Sequence, residues 1–269
     1  MDWTSILYPA VSIGGLGIVF GLGLGVAAKK FAIEVDPKIP QVRDALPGAN
    51  CGGCGFAGCD AFAKAVVEGN AKPNGCPVGG ADVADKVSQI LGIESSNDVK
   101  KVAFVKCQGT CDKAREKYEY VGVMDCKNAN FLQGNGSKAC EFGCLGLGSC
   151  VSACMFDAIH IVDGIAQVDE EKCTSCGMCV EACPKSLIEL IPYSSNVRVQ
   201  CNSSNKGKDV KLSCDVGCIG CRLCTRVCEF DAITVENNIA KINYDKCTAC
   251  MKCVEKCPTK AIVVKEHLN

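Results

Sequence analysis

Two closely spaced cysteine runs lie near the C-terminus. CIGCRLCTRVC and CTACMKCVEKCP begin at positions 218 and 247, and the second run ends in Cys-Pro. In two-cluster ferredoxins, three cysteines of each run bind one iron–sulfur cluster and the fourth cysteine binds the other cluster. We therefore expect two [4Fe–4S] clusters, with structural zinc as the weaker alternative. The ligands would be Cys218, Cys221, Cys224 and Cys257 for one cluster, and Cys228, Cys247, Cys250 and Cys253 for the other.

An internal repeat places a similar pair of runs earlier in the chain. Residues 140–183 align without a gap on residues 214–257. A repeat of this length indicates two ferredoxin-like modules in tandem. The first module keeps one complete ligand set, formed by Cys154, Cys173, Cys176 and Cys179.

The other ligand set of the first module is incomplete. Leu147 stands where the repeat has Cys221, which leaves only Cys144, Cys150 and Cys183. Three outcomes are open for this position. It holds a [3Fe–4S] cluster, a [4Fe–4S] cluster with a substitute ligand, or a four-iron cluster with a non-protein ligand.

A further cysteine block lies nearer the N-terminus, in CGGCGFAGC and a later NGCPVGG. Its spacing is C-x2-C-x4-C-x16-C, formed by Cys51, Cys54, Cys59 and Cys76. Glycines between the ligands let the backbone turn its N–H groups toward the sulfurs. The apolar patterns after residue 59 and over residues 81–91 predict two short helices. We expect a small helical domain folded around one cluster, and zinc is less favoured because no histidine accompanies the cysteines.

Several cysteines remain outside these sets. Cys107, Cys111, Cys126 and Cys140 surround an insertion in the first module. Together they could hold another cluster, or one of them could complete the deficient set. Cys201 and Cys214 are left over and fit plain buried thiols, which are common. The sequence thus predicts five to six iron–sulfur clusters, most of them [4Fe–4S].

The composition agrees with a protein built around clusters. The chain has 25 cysteines in 269 residues, which reaches the ~8–10% that marks an unusual cysteine content. Only 6% of residues are aromatic, so clusters would serve as cores of small domains. The net charge of −1 gives no reason to expect nucleic-acid binding. We find no nucleotide-binding loop and no nucleophile–base pair, so we expect electron transfer without direct nucleotide binding or catalytic residues.

The N-terminal stretch contains no cysteines and is strongly apolar. Residues 5–28 are uncharged and would span ~36 Å as a helix, and Lys29 and Lys30 follow them. This pattern predicts an uncleaved, single-pass transmembrane helix. The positive-inside rule then places the remaining residues in the cytoplasm, where thiols stay reduced. Gly17, Gly21 and Gly25 share one helix face and predict packing against integral membrane subunits, with a plain anchor as the alternative.

These observations predict an α+β fold in four parts. A transmembrane anchor occupies residues 1–30, and the helical [4Fe–4S] domain occupies residues 31–98. Ferredoxin-like module I, with its insertion, follows over residues 99–192, and ferredoxin-like module II follows over residues 193–269. The polar segment 193–212 is expected to join the two modules.

The two modules differ in charge. Residues 140–191 contain two lysines and eight acidic residues, a net charge of −6. Residues 214–265 contain eight basic and six acidic residues, a net charge of +2. Basic surfaces attract acidic partners, so we expect an acidic ferredoxin to bind module II and electrons to move toward the Cys51 cluster. A solvated lysine-rich face is the alternative. The basic residues concerned are Arg222, Arg226, Lys246, Lys252, Lys256 and Lys260.

The cysteine motifs also support a family resemblance. DALPGANCGGCGFAGCDAF, the later CPVGG and the ferredoxin-type runs resemble the B subunit of the Rnf complex, in its longer, clostridial type. This resemblance implies an electron-transfer subunit of an ion-translocating ferredoxin:NAD⁺ oxidoreductase at the inner (plasma) membrane. It also implies soluble ferredoxin as the donor and integral membrane subunits as partners. The alternatives are a relay subunit of a membrane hydrogenase, formate or sulfur-compound reductase without ion pumping, and a zinc-rich structural protein.

Overall fold

The N-terminal residues form one long helix, α1 (Trp3–Lys30), in the computed structural model. The structure describes residues 3–30, 36–94, 99–132 and 134–265. Within these ranges, no helix has both the length and the apolar character required to cross a membrane. The predicted transmembrane helix is therefore wrong, and single-pass anchoring lacks support.

The helical domain packs three helices around one apolar core. These are α2 (Lys38–Ala45), α3 (Cys59–Val67) and α4 (Gly80–Leu91), with a 3₁₀ turn at Pro73–Gly75. Val42, Phe62 and Val87 are almost fully buried at the centre. Helix α4 ends at Gly92, whose φ of 75° is the left-handed geometry that glycine adopts readily at helix ends. Both predicted helices of this domain are present.

Module I consists of two antiparallel strand pairs and short helices. In chain order these are β1 (Lys101–Val105), α5 (Cys126–Asn130), α6 (Ser149–Ser152), β2 (Ile159–Val162), β3 (Ile165–Val168), α7 (Met178–Ala182) and β4 (Ile188–Pro192). Strand β1 pairs with β4, with Lys101 opposite Pro192, and β2 pairs with β3. Each cysteine run thus leads into a short helix, and the buried faces of the strands close the core beneath it.

Module II repeats this topology. Its elements are β5 (Val197–Val199), α8 (Gly207–Ser213), α9 (Leu223–Arg226), β6 (Ile233–Glu236), β7 (Ile239–Ile242), α10 (Lys252–Lys256) and β8 (Ile262–Val264). Strand β5 pairs with β8, and β6 pairs with β7. Asn237 and Asn238 both have positive φ, as a type I′ hairpin turn requires. All three residues of β5 are buried, so segment 193–212 contributes to the core of module II and is more than a polar join.

Buried charges tie the two modules together. Glu170 of module I accepts hydrogen bonds from Arg198 and Lys265 of module II, the second at 2.8 Å. The three side chains are only 6–14% exposed. Arg198 also lies over the ring of Phe104 at 5.3 Å. These contacts fix the orientation of module II relative to module I.

Candidate metal centres

The four cysteines of the helical domain surround one cavity, which we call site 1 (Cys51, Cys54, Cys59, Cys76). Cys59 opens helix α3, and its backbone N–H donates to Asn50 Oδ1 at 2.8 Å. Burial raises the pKa of Cys76, and the nearby thiols of Cys54 and Cys59 add to this effect. The loop and the helix start therefore bring together residues that are far apart in sequence.

The complete ligand set of module I is also assembled, and we call it site 2 (Cys154, Cys173, Cys176, Cys179). Burial raises the pKa of Cys179 to about 12, and the neighbouring thiols of Cys173, Cys176 and Cys154 contribute in that order. The backbone N–H of Ala103 points at Cys173 Sγ at 3.4 Å. Such N–H groups stabilise negative charge on sulfur, as iron–sulfur ligation requires.

Module II assembles the two sets that its cysteine runs predict. Site 5 (Cys218, Cys221, Cys224, Cys257) lines one cavity. Site 6 consists of Cys228, Cys247, Cys250 and Cys253, where burial and the neighbouring thiols of Cys247 and Cys250 raise the pKa of Cys253 to about 11. Cys228 accepts a hydrogen bond from the backbone N–H of Ala232 at 3.4 Å. Cys228 and Cys253 also belong to the same apolar core.

The structure brings Cys126 to the set that lacks a fourth cysteine. Cys126 lines the same cavity as Cys144, Cys150 and Cys183, and we call this group site 3. Burial raises the pKa of Cys150 to about 12, with the thiols of Cys144, Cys126 and Cys183 as further causes. Cys126 is therefore placed to fill the position that Leu147 leaves open.

A small hydrogen-bonded unit holds Cys126 in this place. Asp125 caps helix α5 by accepting from the backbone N–H of Lys127, and it also accepts from Ser149 Oγ at 2.8 Å. Ser149 in turn accepts from the backbone N–H of Cys126 at 2.7 Å. Ser149 begins helix α6, which carries Cys150, so the insertion is fastened directly to the cysteine run.

Four more cysteines meet between the modules at site 4 (Cys107, Cys140, Cys201, Cys214), where they line one cavity. Burial raises the pKa of Cys201 to about 12. Burial also raises the pKa of Cys214, with the thiols of Cys107 and Cys140 among the further causes. In the sequence repeat, Cys107 corresponds to Cys201 and Cys140 to Cys214. Site 4 is therefore formed by one equivalent pair from each copy.

The structure does not unite the four insertion cysteines as one site. Cys126 belongs to site 3, and Cys107 and Cys140 belong to site 4 with Cys201 and Cys214. Cys111 is exposed, and its backbone N–H donates to Asp163 O at 3.0 Å. Six sets of four cysteines account for all but Cys111 of the 25 cysteines. The equivalence of the two pairs in the repeat was the signal that could have revealed site 4.

The donor sets fit iron–sulfur clusters better than single metal ions. Within the described ranges, no group of three or more His, Cys, Asp or Glu side chains is arranged closely enough to hold a single ion. A cluster is larger than one ion, so its ligands stand further apart around a shared cavity. All donors are thiols, and backbone N–H groups point at several of them, including Cys107, Cys144 and Cys183. This combination is typical of cluster sites.

Comparison with known families agrees with these sites. Residues 46–78 match an Fe-S cluster family, residues 166–189 match the 4Fe-4S binding domain, and residues 217–262 match the 4Fe-4S dicluster domain. The first match contains site 1, and the third contains both sites of module II. The chain therefore contains iron–sulfur domains.

Whole-chain relatives decide the family. The chain is 55% identical to the B subunit of the Na⁺-translocating ferredoxin:NAD⁺ oxidoreductase complex of Acetobacterium woodii, over 96% of this chain and 78% of the relative. It is 46% identical to the B subunit of the ion-translocating oxidoreductase complex of Methanosarcina acetivorans, over 97% of this chain and 100% of the relative. It is 47% identical to the B subunit of the proton-translocating ferredoxin:NAD⁺ oxidoreductase complex of Clostridium ljungdahlii, over 92% and 88%.

The chain belongs to the family of Rnf B subunits. The resemblance inferred from its cysteine motifs is confirmed. So is the expected enzyme class, that of an electron-transfer subunit of an ion-translocating ferredoxin:NAD⁺ oxidoreductase.

The two modules of this Rnf protein differ in how open their sites are. Cys221 of site 5 and Cys250 of site 6 are exposed. Cys176, the counterpart of Cys250 in the repeat, lies instead under the loop of the helical domain. A Cβ atom at Gly53 would stand 2.6 Å from the carbonyl oxygen of Cys176. The helical domain therefore contacts module I at Cys176, which is half-buried, whereas the corresponding Cys250 of module II is exposed.

The predicted basic residues of this Rnf protein belong to module II. All six are exposed, namely Arg222, Arg226, Lys246, Lys252, Lys256 and Lys260. Lys252 forms an ion pair with Glu229, which raises the pKa of Lys252. The negative charge of Glu229 offsets part of the positive potential of Lys252 at the surface. The five remaining residues carry most of the positive charge next to sites 5 and 6.

Sites 3, 4 and 5 of this Rnf protein are directly connected. The backbone N–H of Cys144 in site 3 donates to Cys107 Sγ in site 4 at 3.4 Å. On the other side, the backbone N–H of Cys218 in site 5 donates a hydrogen bond to the thiol of Cys201 in site 4, although burial keeps the pKa of that thiol raised. Site 4 therefore lies between the two modules and contacts a site in each of them.

Proposed function

We propose that the chain accepts electrons from reduced ferredoxin at module II and passes them through six [4Fe–4S] clusters to other subunits of its complex. The observation that carries this proposal is the contrast between Cys250, which is exposed, and its counterpart Cys176, which is half-buried and lies against Gly53 of the helical domain. Ferredoxin loses one electron in each transfer, and the cluster that receives it gains one. When bound, the clusters supply this one-electron chemistry.

We propose one cluster for each of the six sites described above. Cys126 is then the substitute ligand at site 3, and site 4 is the additional cluster. The residues of the chain contribute thiolate ligands, backbone N–H groups directed at sulfur, and buried surroundings that exclude water.

The contacts between sites support an order for electron transfer. Sites 5 and 6 share module II, site 4 contacts sites 5 and 3, and sites 3 and 2 share module I. Site 1 lies next to site 2, because the loop that carries Cys51 and Cys54 packs on Cys176 through Gly53. Electrons that enter at module II would therefore reach the helical domain last.

The partners at that end would be other members of the complex, since the relatives are named as subunits of oxidoreductase complexes. Helix α1 precedes the helical domain and exposes apolar side chains such as Leu16, Phe20 and Leu24. A Cβ atom at Gly17, Gly21 or Gly25 would meet nothing within 4 Å. Small residues at this spacing allow another helix to approach closely, so we propose this face as a contact with another subunit of the complex.

The basic face of module II provides the test of ferredoxin docking. Replacing Arg226 and Lys256 by Glu reverses two exposed charges without altering a proposed ligand. We expect the KM for reduced ferredoxin to rise several-fold at low ionic strength and its salt dependence to flatten. The matched control replaces Lys72 and Lys86 of the helical domain by Glu, which changes the net charge equally. Equal KM values for both double variants would contradict docking at module II.

A further inference from the structure

Lys185 has a buried ammonium group that the fold itself does not satisfy. Its Nζ atom has almost no solvent exposure and no hydrogen-bond partner among the described residues. An uncompensated buried charge is costly, so such a group requires an anion nearby. The buried Lys138 differs, because its ammonium donates to Gly109 O at 2.7 Å and Gly164 O at 2.9 Å.

Lys185 lies at the junction of sites 3 and 4. It lines the cavity of site 3 with Cys126, Cys144, Cys150 and Cys183. Burial lowers the pKa of Lys185, and the sulfurs of Cys140 and Cys107 in site 4 and of Cys144 in site 3 oppose this by attracting its positive charge. Lys117 is a cation that repels it. Its carbonyl oxygen accepts from Asn202 Nδ2 at 3.4 Å, which fixes the backbone against a residue that lines site 4.

The sequence repeat shows that this charge is specific to module I. Lys185 follows Cys183-Pro184, and the corresponding residue after Cys257-Pro258 is Thr259. Thr259 is neutral, and its Oγ1 lies 3.9 Å from Cys257 Sγ in site 5. The same backbone position therefore carries a positive charge beside site 3 and none beside site 5.

A fixed positive charge makes it easier to add an electron to an anionic site. The attraction is stronger in a buried environment, where the effective dielectric constant is low. The reduction potential of an iron–sulfur cluster depends on such local charge and on its exposure to solvent. Lys185 is close to two of the proposed sites and shielded from water, so its charge acts on both.

We propose that Lys185 raises the reduction potentials of the clusters at sites 3 and 4 relative to the cluster at site 5. Electrons that enter module II are thereby drawn across the module boundary into module I. Lys185 is a positioning residue in this scheme, because it acts on the clusters through its charge and ligates neither of them. This inference rests on the ligand sets of the proposed function.

The test is an EPR-monitored redox titration of the purified full-length protein and its variants. Lys185→Thr installs the residue of the other module and should shift the midpoints of two clusters to lower potential. Lys185→Arg keeps the charge and should leave them close to the wild-type values. Lys241→Thr removes an exposed charge of module II and serves as the control. The Cys126→Ser variant identifies which of the shifted signals belongs to site 3.

A reciprocal variant, Thr259→Lys, keeps the inference testable even if Lys185→Thr loses clusters. Thr259→Lys should raise the midpoint of the site 5 cluster, whether or not Lys185→Thr retains its full iron content. Unshifted midpoints in a fully loaded Lys185→Thr protein would overturn the inference. An unshifted site 5 midpoint in Thr259→Lys would also overturn it. Iron well below six clusters in the wild type would instead contradict the proposed ligand sets, so the two failures are distinguishable.

Discussion

Gly53 lies directly against the backbone of Cys176. A Cβ atom at Gly53 would stand 2.6 Å from the carbonyl oxygen of Cys176 and 3.0 Å from its Cα atom, distances at which the backbone must shift. Gly53 separates two proposed ligands of site 1, and Cys176 is a proposed ligand of site 2. The absence of a side chain at residue 53 therefore sets how closely these two sites approach.

We expect Gly53→Ala to separate site 1 from site 2 without removing either cluster. Iron content should stay at the wild-type level, while electron transfer from module I to the helical domain should slow several-fold. Rapid-freeze EPR after mixing with reduced ferredoxin measures this step. Gly55→Ala is the control for local strain, since Gly55 has a φ of 83° and open space around it. An unchanged transfer rate in Gly53→Ala would show that the contact is irrelevant.

Cys126→Ser should affect one cluster only. We expect either a [3Fe–4S] EPR signal in the oxidised protein or the loss of about four iron atoms per chain. Cys111→Ser is the matched control, because Cys111 lies in the same insertion but outside all six sets. If both variants keep full iron and show no new signal, Cys126 is not a ligand of site 3.

Cys201→Ser tests the site between the modules. The variant should lose about four iron atoms per chain and retain the clusters of sites 5 and 6. Electrons from ferredoxin would still enter module II but would reach module I much more slowly. Iron analysis together with rapid-freeze EPR measures both effects. Full iron content with unchanged transfer to module I would exclude a cluster at site 4.

Glu170→Gln should weaken the contact between the modules. It leaves Arg198 and Lys265 without their carboxylate, and removing one partner of a buried ion pair costs about 3 kcal/mol or more. Thermal unfolding of the anaerobic protein measures the loss. Glu189→Gln is the control, since Glu189 and its partner Lys106 are 41% and 22% exposed and such pairs contribute about 1 kcal/mol or less. Equal effects in both variants would argue against a special role for Glu170.

The same pair gives a pH dependence with a definite sign. Burial alone would raise the pKa of Glu170, but the hydrogen bonds from Arg198 and Lys265 outweigh burial and lower it. A carboxyl whose pKa is lower in the folded state stabilises the fold fully above its unfolded value of 4.5, and this stabilisation is lost as pH falls through the folded pKa. The difference between wild type and Glu170→Gln should therefore shrink below pH 4.5. A constant difference down to the folded pKa would contradict this.

Much of the cluster architecture could be predicted because its information is local. Three patterns each involve residues that are close in sequence, so the spacing of the residues predicts the local structure. They are the ferredoxin runs, the block at residues 51–59 and the Asn237-Asn238 turn. The transmembrane prediction was wrong, because no helix within the described ranges combines the length and the apolar character that a membrane span requires.

The sequence left open which insertion cysteine completes site 3, and it did not predict the ligand set of site 4. Their ligands come from the insertion, whose path is set by tertiary contacts such as the pair Asp125–Ser149 and not by a local pattern. The repeat did contain part of the answer, since Cys107 matches Cys201 and Cys140 matches Cys214. Only the packing of the two copies shows that these equivalent pairs face one another. The sequence identified Gly53 as one of the glycines that let the backbone turn between ligands. Its contact with Cys176 depends on the packing of the helical domain against module I, which no local pattern predicts.

The bridge between Ala114 and Cys214 has a consequence for biosynthesis. The insertion of module I pairs there with a residue of module II, and the backbone N–H of Arg115 donates to Ser213 O at 3.0 Å. During synthesis, the N-terminal part of the chain emerges first and begins to fold before the rest exists. Cys107 and Cys140 therefore gain their partners Cys201 and Cys214 only after residue 214 has left the ribosome. Completion of module I thus depends on translation of module II, so a truncated chain would leave its first module unfinished.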